Sequence, residues 1–128
     1  MDALLDTHAL LWWLSDEPAL TKTARKIVAD TKNVIYVSAA SAWEIATKLR
    51  LGKLPTAVDL AADFGGHLER ERFRILAISG DHALCAGLLP GPHKDPFDRM
   101  LVAQAQVENM PIVSNEVAFD DYGVRRIW

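Results

Sequence analysis

The sequence predicts an α/β fold: a mostly parallel central sheet with helices on both faces. Two observations carry that prediction. Short strand-like apolar runs alternate with longer stretches whose apolar residues recur at helical spacing. The 128 residues also show no internal repeat, linker or low-complexity segment, so they suit one domain, residues 1–128, large enough to bury its own core.

Asp2-Ala3-Leu4-Leu5-Asp6 reads as the first strand and Thr7 to Leu14 as a short helix. Asp16-Glu17-Pro18 makes a turn, after which Leu20, Ala24, Ile27 and Val28 line one face of a second helix. Val34-Ile35-Tyr36-Val37 is a β-branched strand. The next helix is expected from Ser41 to Leu51, opened by a Ser41/Glu44 capping box and stopped by Gly52, with Pro55 beyond. Residues 57–72 predict a further helix interrupted at Gly65-Gly66. Ile75-Leu76-Ala77-Ile78 is a strand, and Ser79 opens a helix that ends by Pro90. Gly91-Pro92-His93-Lys94 is a loop. Asp95 then serves as N-cap and Pro96 as first residue of a helix reaching about Asn109. Pro111 to Ser114 is a strand, Glu116 to Asp121 a single turn, and Val124 to Trp128 a last short strand.

Half of the residues are hydrophobic and 24% are charged, the balance of an ordinary soluble globular protein. The single cysteine, Cys85, lies in the apolar run Ala83-Leu84-Cys85-Ala86 and reads as a small buried hydrophobe in a reducing compartment. No basic stretch precedes the first apolar run, Asp2 and Asp6 interrupt it, and no run approaches the ~20 residues of a membrane span. The expected location is cytoplasmic, with no membrane partner. A net charge of −3 offers no basic footprint for a nucleic acid. It suits such a partner only if the acids are gathered where a bound cation offsets them.

Position therefore matters more than total charge. Right-handed crossovers put every strand's carboxyl end on one edge of a parallel sheet, and ligands bind outside that edge. Four acids map there. Asp6 ends the first strand, Glu44 lies early in the helix after the second, Asp98 lies in the first turn of the helix before the fourth, and Glu116 follows the fourth. Gathered carboxylates repel, and a hard dication such as Mg²⁺ or Mn²⁺ relieves that repulsion through oxygen ligands. Structural roles compete with this reading. Asp6 suits an N-cap, Glu44 suits the capping box and an ion pair with Lys48, and Asp98 suits the helix dipole. Asp95 already caps that helix, which leaves Asp98 as the surplus acid. His8, Lys94 and Arg99 flank the acids as candidate substrate contacts, against a structural hydrogen bond for His8 and solvated surface charge for the other two. His82 and His93 read as loop and helix-start residues and His67 as a surface helix residue. No HExxH, Walker-type glycine loop or GxSxG elbow is present, and Cys85 is poorly placed to be a nucleophile.

Four segments in order carry a family resemblance. Leu5-Asp6-Thr7-His8-Ala9-Leu10-Leu11-Trp12 resembles the opening of a PIN-domain nuclease. Ser38-Ala-Ala-Ser-Ala-Trp-Glu44-Ile, with Gly52-Lys53-Leu54 downstream, resembles the second acid segment of that family. His93-Lys-Asp95-Pro-Phe-Asp98-Arg-Met-Leu-Val-Ala-Gln-Ala105 resembles the third, and Ile112-Val-Ser-Asn-Glu116 with Phe119 and Tyr122-Gly123 the fourth. The nearest group is the VapC-type toxins of bacterial type II toxin–antitoxin pairs. The resemblance implies a three-layer fold with strand order 3-2-1-4-5, a homodimer, and an antitoxin that blocks the site. It also implies Asp6, Glu44 and Asp98 as core metal-binding acids. The implied activity is endoribonuclease hydrolysis of RNA with one or two Mg²⁺ or Mn²⁺ ions, leaving 5′-phosphate and 3′-hydroxyl ends. The family usually carries an aspartate in the fourth segment, where this chain has Ser114-Asn115-Glu116. Glu116, reaching one methylene further, is the expected fourth ligand, with Asn115 the neutral alternative.

Two other classes compete. A Mg²⁺-dependent phosphatase or phosphoacceptor domain also gathers acids at strand ends, but it calls for a second aspartate two residues after the first, where this chain has His8. A catalytically inactive PIN-fold interaction module would have no need of the acids.

Overall fold

The computed structural model describes residues 1–128, and its sheet is five-stranded and parallel throughout. The strands are β1 (Asp2–Leu5), β2 (Val34–Ser38), β3 (Arg74–Leu76), β4 (Ile112–Val113) and β5 (Arg126–Ile127), side by side in the order β3-β2-β1-β4-β5. β1 is central, with Leu5 beside Val37 of β2 on one side and Val113 of β4 on the other. The order matches the one the resemblance implies.

Helices separate the strands: α1 (Thr7–Leu14), α2 (Lys22–Ala29), α3 (Ala39–Arg50), α4 (Val58–Ala62), α5 (Phe64–Arg70), α6 (Gly80–Leu88) and α7 (Pro96–Val107). The sheet's two faces feed two apolar cores, as the period of two along a strand requires. Ala3, Leu5, Ile35, Val37 and Val113 join α1, α2 and Ile45 of α3 in one core. Leu4 and Ile112 join Leu101, Val102 and Ala105 of α7 in the other. No helix is long and apolar enough to cross a membrane.

Most elements lie where the sequence places them, and the corrections have local causes. α3 begins at Ala39, because Ser38 at the end of β2 is its cap and its Oγ accepts from the Ala40 N–H at 2.9 Å. Ser41 is thus free of capping and instead shares a buried 2.8 Å hydrogen bond with Thr7 Oγ1. The expected helix over 57–72 is a 3-10 turn at Pro55–Ala57 followed by α4 and α5. Its break falls at Asp63, whose side chain accepts from Gly66 N–H and restarts the helix. Gly66 is therefore inside α5, and a side chain there would run into that carboxylate. The expected Glu116–Asp121 turn is a 3-10 helix over Val117–Tyr122.

Candidate active site

The end of β1 is where the acids begin. Asp6 leaves the strand in extended conformation and caps α1: its Oδ1 accepts from the backbone N–H of His8 at 2.7 Å and of Ala9 at 3.3 Å. Its Oδ2 accepts a short hydrogen bond from the Ser114 hydroxyl, which follows β4 on the neighbouring strand. Asp6 is thus the N-cap that the sequence allows. Only 5% of its surface is exposed, and that burial pushes its carboxyl up from its ordinary value, against the Ser114 hydrogen bond and the charge of His8.

Glu44 enters from α3. With the helix starting at Ala39, it lies in the second turn and not in a capping box. It is 3% exposed, and its Oε2 pairs with Lys48 Nζ at 2.6 Å, the expected i,i+4 partner. Its Oε1 has no protein donor.

Asp98 enters from the first turn of α7, just beyond the cap that Asp95 supplies to the N–H groups of Phe97 and Asp98. Its carboxyl is pushed up to about 7: burial is the largest cause, and the charges of Asp95, Asp6 and Glu44 add to it against the opposing pull of His93. Three carboxylates from three separate elements thus bear on one another at the carboxyl edge of the sheet.

Each is steadied by a donor from the protein: Asp6 by Ser114, Glu44 by Lys48, and Asp98 Oδ2 by His93 Nε2 at 2.9 Å. In this arrangement no three His, Cys, Asp or Glu side chains converge on one point to hold an ion. The donor set itself is all oxygen, as a hard dication prefers, and Glu44 Oε1 and Asp98 Oδ1 have no protein partner.

Glu116 stands at the same edge with its side chain turned onto its own element. Its backbone N–H donates to Ser114 Oγ at 2.9 Å, one hydrogen-bonded step from Asp6. Its Oε1 caps the 3-10 turn at the Ala118 N–H, 3.3 Å away. Its other oxygen, Oε2, has no protein partner. Asn115 is exposed beside it.

The flanking candidates divide. His8 is exposed, with its ring 5.8 Å from that of Trp12, and Lys94 is exposed in the loop before α7. Arg99 turns its guanidinium onto the protein. Its guanidinium donates to the carbonyls of His93 at 3.0 Å, Ala86 at 3.2 Å and Leu89, tying down the loop between α6 and α7. His93, which the sequence leaves in a loop, is the residue missed. Its place five positions before Asp98, in the loop just ahead of a Pro-started helix, is the signal that could have found it. His82 is buried, capping α6 with Ser79 and pairing with Glu108 at 2.9 Å.

A parallel α/β fold with an acidic carboxyl edge is the class these observations define. The PIN-domain model matches residues 3–124, and the chain belongs to that family. It is similar to ribonuclease VapC16 of Mycobacterium tuberculosis, 68% identical over 31 residues that make up 24% of this chain and 22% of that one. The match thus spans about a fifth of that relative's length. Among solved structures it is similar to VapBC2 from Rickettsia felis, bound to a promoter DNA fragment (17% identity, 98% and 97% of the two chains, TM-score 0.66). It is also similar to VapBC-1 of nontypeable Haemophilus influenzae (14%, 98% and 96%, TM-score 0.67). A third is VapC20 of M. tuberculosis, described as a sarcin–ricin-loop-cleaving toxin (17%, 95% and 95%, TM-score 0.64). At these identities the structural likeness establishes the fold.

Proposed function

We propose that the chain is a metal-dependent endoribonuclease acting as the toxin of a toxin–antitoxin pair, with Asp6, Glu44 and Asp98 holding one or two Mg²⁺ or Mn²⁺ ions. The observation that carries this reading is the gathering of two buried carboxylates, Asp6 at the end of β1 and Glu44 on α3, with the half-buried Asp98 of α7, close enough that Asp6 and Glu44 both raise the proton affinity of Asp98. Such mutual repulsion is a standing cost to the fold, and a dication removes it. The family membership and the similarity to VapC16 and VapC20 support ribonuclease chemistry on RNA.

A bound ion of this kind supplies positive charge against phosphoryl oxygens and acidifies a water. The chain supplies the rest. Asp6 is fixed by two backbone N–H groups and Ser114, which leaves little freedom in its aim. Glu44 and Asp98 each keep one oxygen free of protein donors. His8 and Lys94, both exposed, are the groups nearest in sequence to the acids that can meet a phosphate. Glu116 Oε1 is engaged by the Ala118 N–H, so a fourth ligand from this residue would come through Oε2. A phosphoacceptor reading finds no support at position 8, where a histidine stands in place of the second aspartate.

The partners belong to the same proposal. The VapBC structures are toxin–antitoxin complexes, and their fold is the fold of this chain, which supports a cognate antitoxin. A homodimer is proposed as well, because Trp43, Leu84 and Leu88 expose large apolar surface. The test of the activity is direct. Purified protein should cleave RNA with Mg²⁺ or Mn²⁺ and stop on addition of EDTA. Cleavage that persists in excess EDTA would rule the mechanism out.

A further inference from the structure

Outside the three acids, the residues around the edge make one further device. His93 reaches Asp98 across five positions, and three contacts fix it there. Its Nε2 lies 2.9 Å from Asp98 Oδ2. Its backbone N–H donates to the Tyr122 hydroxyl at 3.1 Å, and its carbonyl accepts from Arg99 Nη1 at 3.0 Å. The ring also packs near Phe119, with centroids 6.5 Å apart. Gly91 makes the approach of Tyr122 workable. It has φ of +107°, and a Cβ there would lie 2.8 Å from the Tyr122 hydroxyl, so both the backbone and the space call for glycine.

Three residues, Tyr122, Arg99 and Gly91, thus hold the loop that carries one imidazole. Tyr122 ends the 3-10 turn after β4, Arg99 is on α7, and Gly91 and His93 are on the loop between α6 and α7. Backbone anchoring on both sides of His93 is more than a surface loop requires. With Nε2 protonated, the ring donates to Oδ2 and leaves Oδ1 as the oxygen with no protein partner.

Resting on the metal reading above, we propose that His93 is a positioning residue. Held by Tyr122 and Arg99, it fixes the rotation of the Asp98 carboxylate so that Oδ1 is presented to a divalent cation. Carboxylates that ligate metals are commonly hydrogen-bonded in this way, and loss of such a partner typically lowers metal affinity or activity by about 10–100-fold. The role also separates the two carboxylates of α7's first turn. Asp95 is held by backbone N–H groups of its own helix, whereas Asp98 is held by a side chain from outside it.

The experiment is Mn²⁺ titration by calorimetry on the intact chain, with thermal melting in EDTA alongside. His93→Ala removes only the ring, since the contacts to Tyr122 and Arg99 are made by the backbone. It should weaken Mn²⁺ binding by about 10–100-fold with a nearly unchanged melting temperature. His93→Gln, which returns an N–H donor at similar reach, should recover most of the affinity. Tyr122→Phe should give a smaller loss, because Arg99 still holds the loop. The nitrogen resonances of the His93 ring give a second readout on metal-free protein: protonated Nε2, free Nδ1, and loss of that signature in Asp98→Ala. Wild-type affinity in His93→Ala, or no recovery in His93→Gln when His93→Ala is impaired, overturns the positioning role and leaves the metal reading standing. A wild-type chain that binds no Mn²⁺ overturns both.

Discussion

Asp95 and Asp98 lie three residues apart on one turn, and their surroundings assign them different work. Asp95 Oδ1 accepts from the N–H groups of Phe97 at 2.9 Å and Asp98 at 3.3 Å, so Asp95→Ala should cost about 1 kcal/mol of stability through the lost cap. Asp98 makes no backbone contact through its side chain and carries the strain of neighbouring acids. Asp98→Asn should therefore abolish Mn²⁺ binding and cleavage while leaving denaturant stability equal or higher. Glu116→Gln keeps an oxygen for the Ala118 N–H, and its effect on Mn²⁺ affinity should be less than about tenfold, the low end for an indirect partner. If denaturation and calorimetry returned the Asp95 and Asp98 effects exchanged, the acids would be wrongly assigned. These distinctions were partly legible in the sequence. Asp-Pro at a helix start marks the cap, which exposes Asp98 as surplus. The direction of the Glu116 side chain was not legible, because a single-turn element offers several N–H groups to a flexible glutamate, and spacing does not choose among them.

At the scale of elements, periodicity found every strand and the helices that pack on them. The signal is strongest in β1, β2 and β4, which are buried. β3 at the sheet edge is largely exposed and spans Arg74–Leu76 where Ile75 to Ile78 was expected. α1 matches its expected bounds of Thr7–Leu14, since Asp6 caps it and the apolar residues behind it are core. The departures concentrate where side chains compete for a backbone N–H. Three hydroxyls, Ser38, Ser41 and Thr7, stand near the start of α3. Ser38 takes the cap and Ser41 turns to Thr7. Sequence spacing favoured Ser41 with Glu44, because S-x-x-E is the stronger local pattern. The structure places Glu44 one turn deeper, where it is buried beside the other acids instead of reaching back to the helix start. Asp63 tells the same story between α4 and α5: a short polar side chain restarts a helix more decisively there than the two glycines interrupt one. Arg99 was legible as a cation near the acids but not as a tie for the loop, since its three carbonyl partners lie 6 to 13 residues away.

The whole molecule carries two consequences of this layout. Trp43 is 60% exposed on α3 with its ring 4.7 Å from Phe97 of α7 in an edge-on pair, and Leu84 and Leu88 of α6 are 66% and 82% exposed. Apolar surface of this kind commonly marks association, so light scattering at micromolar concentration should report about twice 14.2 kDa; a clean monomer would remove the dimer but not the nuclease. The second consequence is a stability that depends on pH in an unusual sense. Most carboxylates in proteins have ordinary or lowered folded-state values, so proteins generally gain stability as pH rises from the acid side. Here Asp6 and Asp98 are both shifted upward, Asp98 to about 7. Between the ordinary carboxyl value and that figure, the folded chain binds more protons than the unfolded chain. Stability contributed by these groups is therefore present at low pH and falls as pH rises toward 7, levelling off above it. A divalent ion binds the deprotonated acids and should reverse the slope. Melting temperatures in EDTA should decline for the wild type relative to Asp98→Asn across pH 5 to about 7.5. With Mn²⁺ present, the wild type should gain most at the upper end of that range and Asp98→Asn should gain nothing. Parallel curves for the two proteins in EDTA would mean that Asp98 is not raised, and the repulsion on which the metal reading depends would not exist.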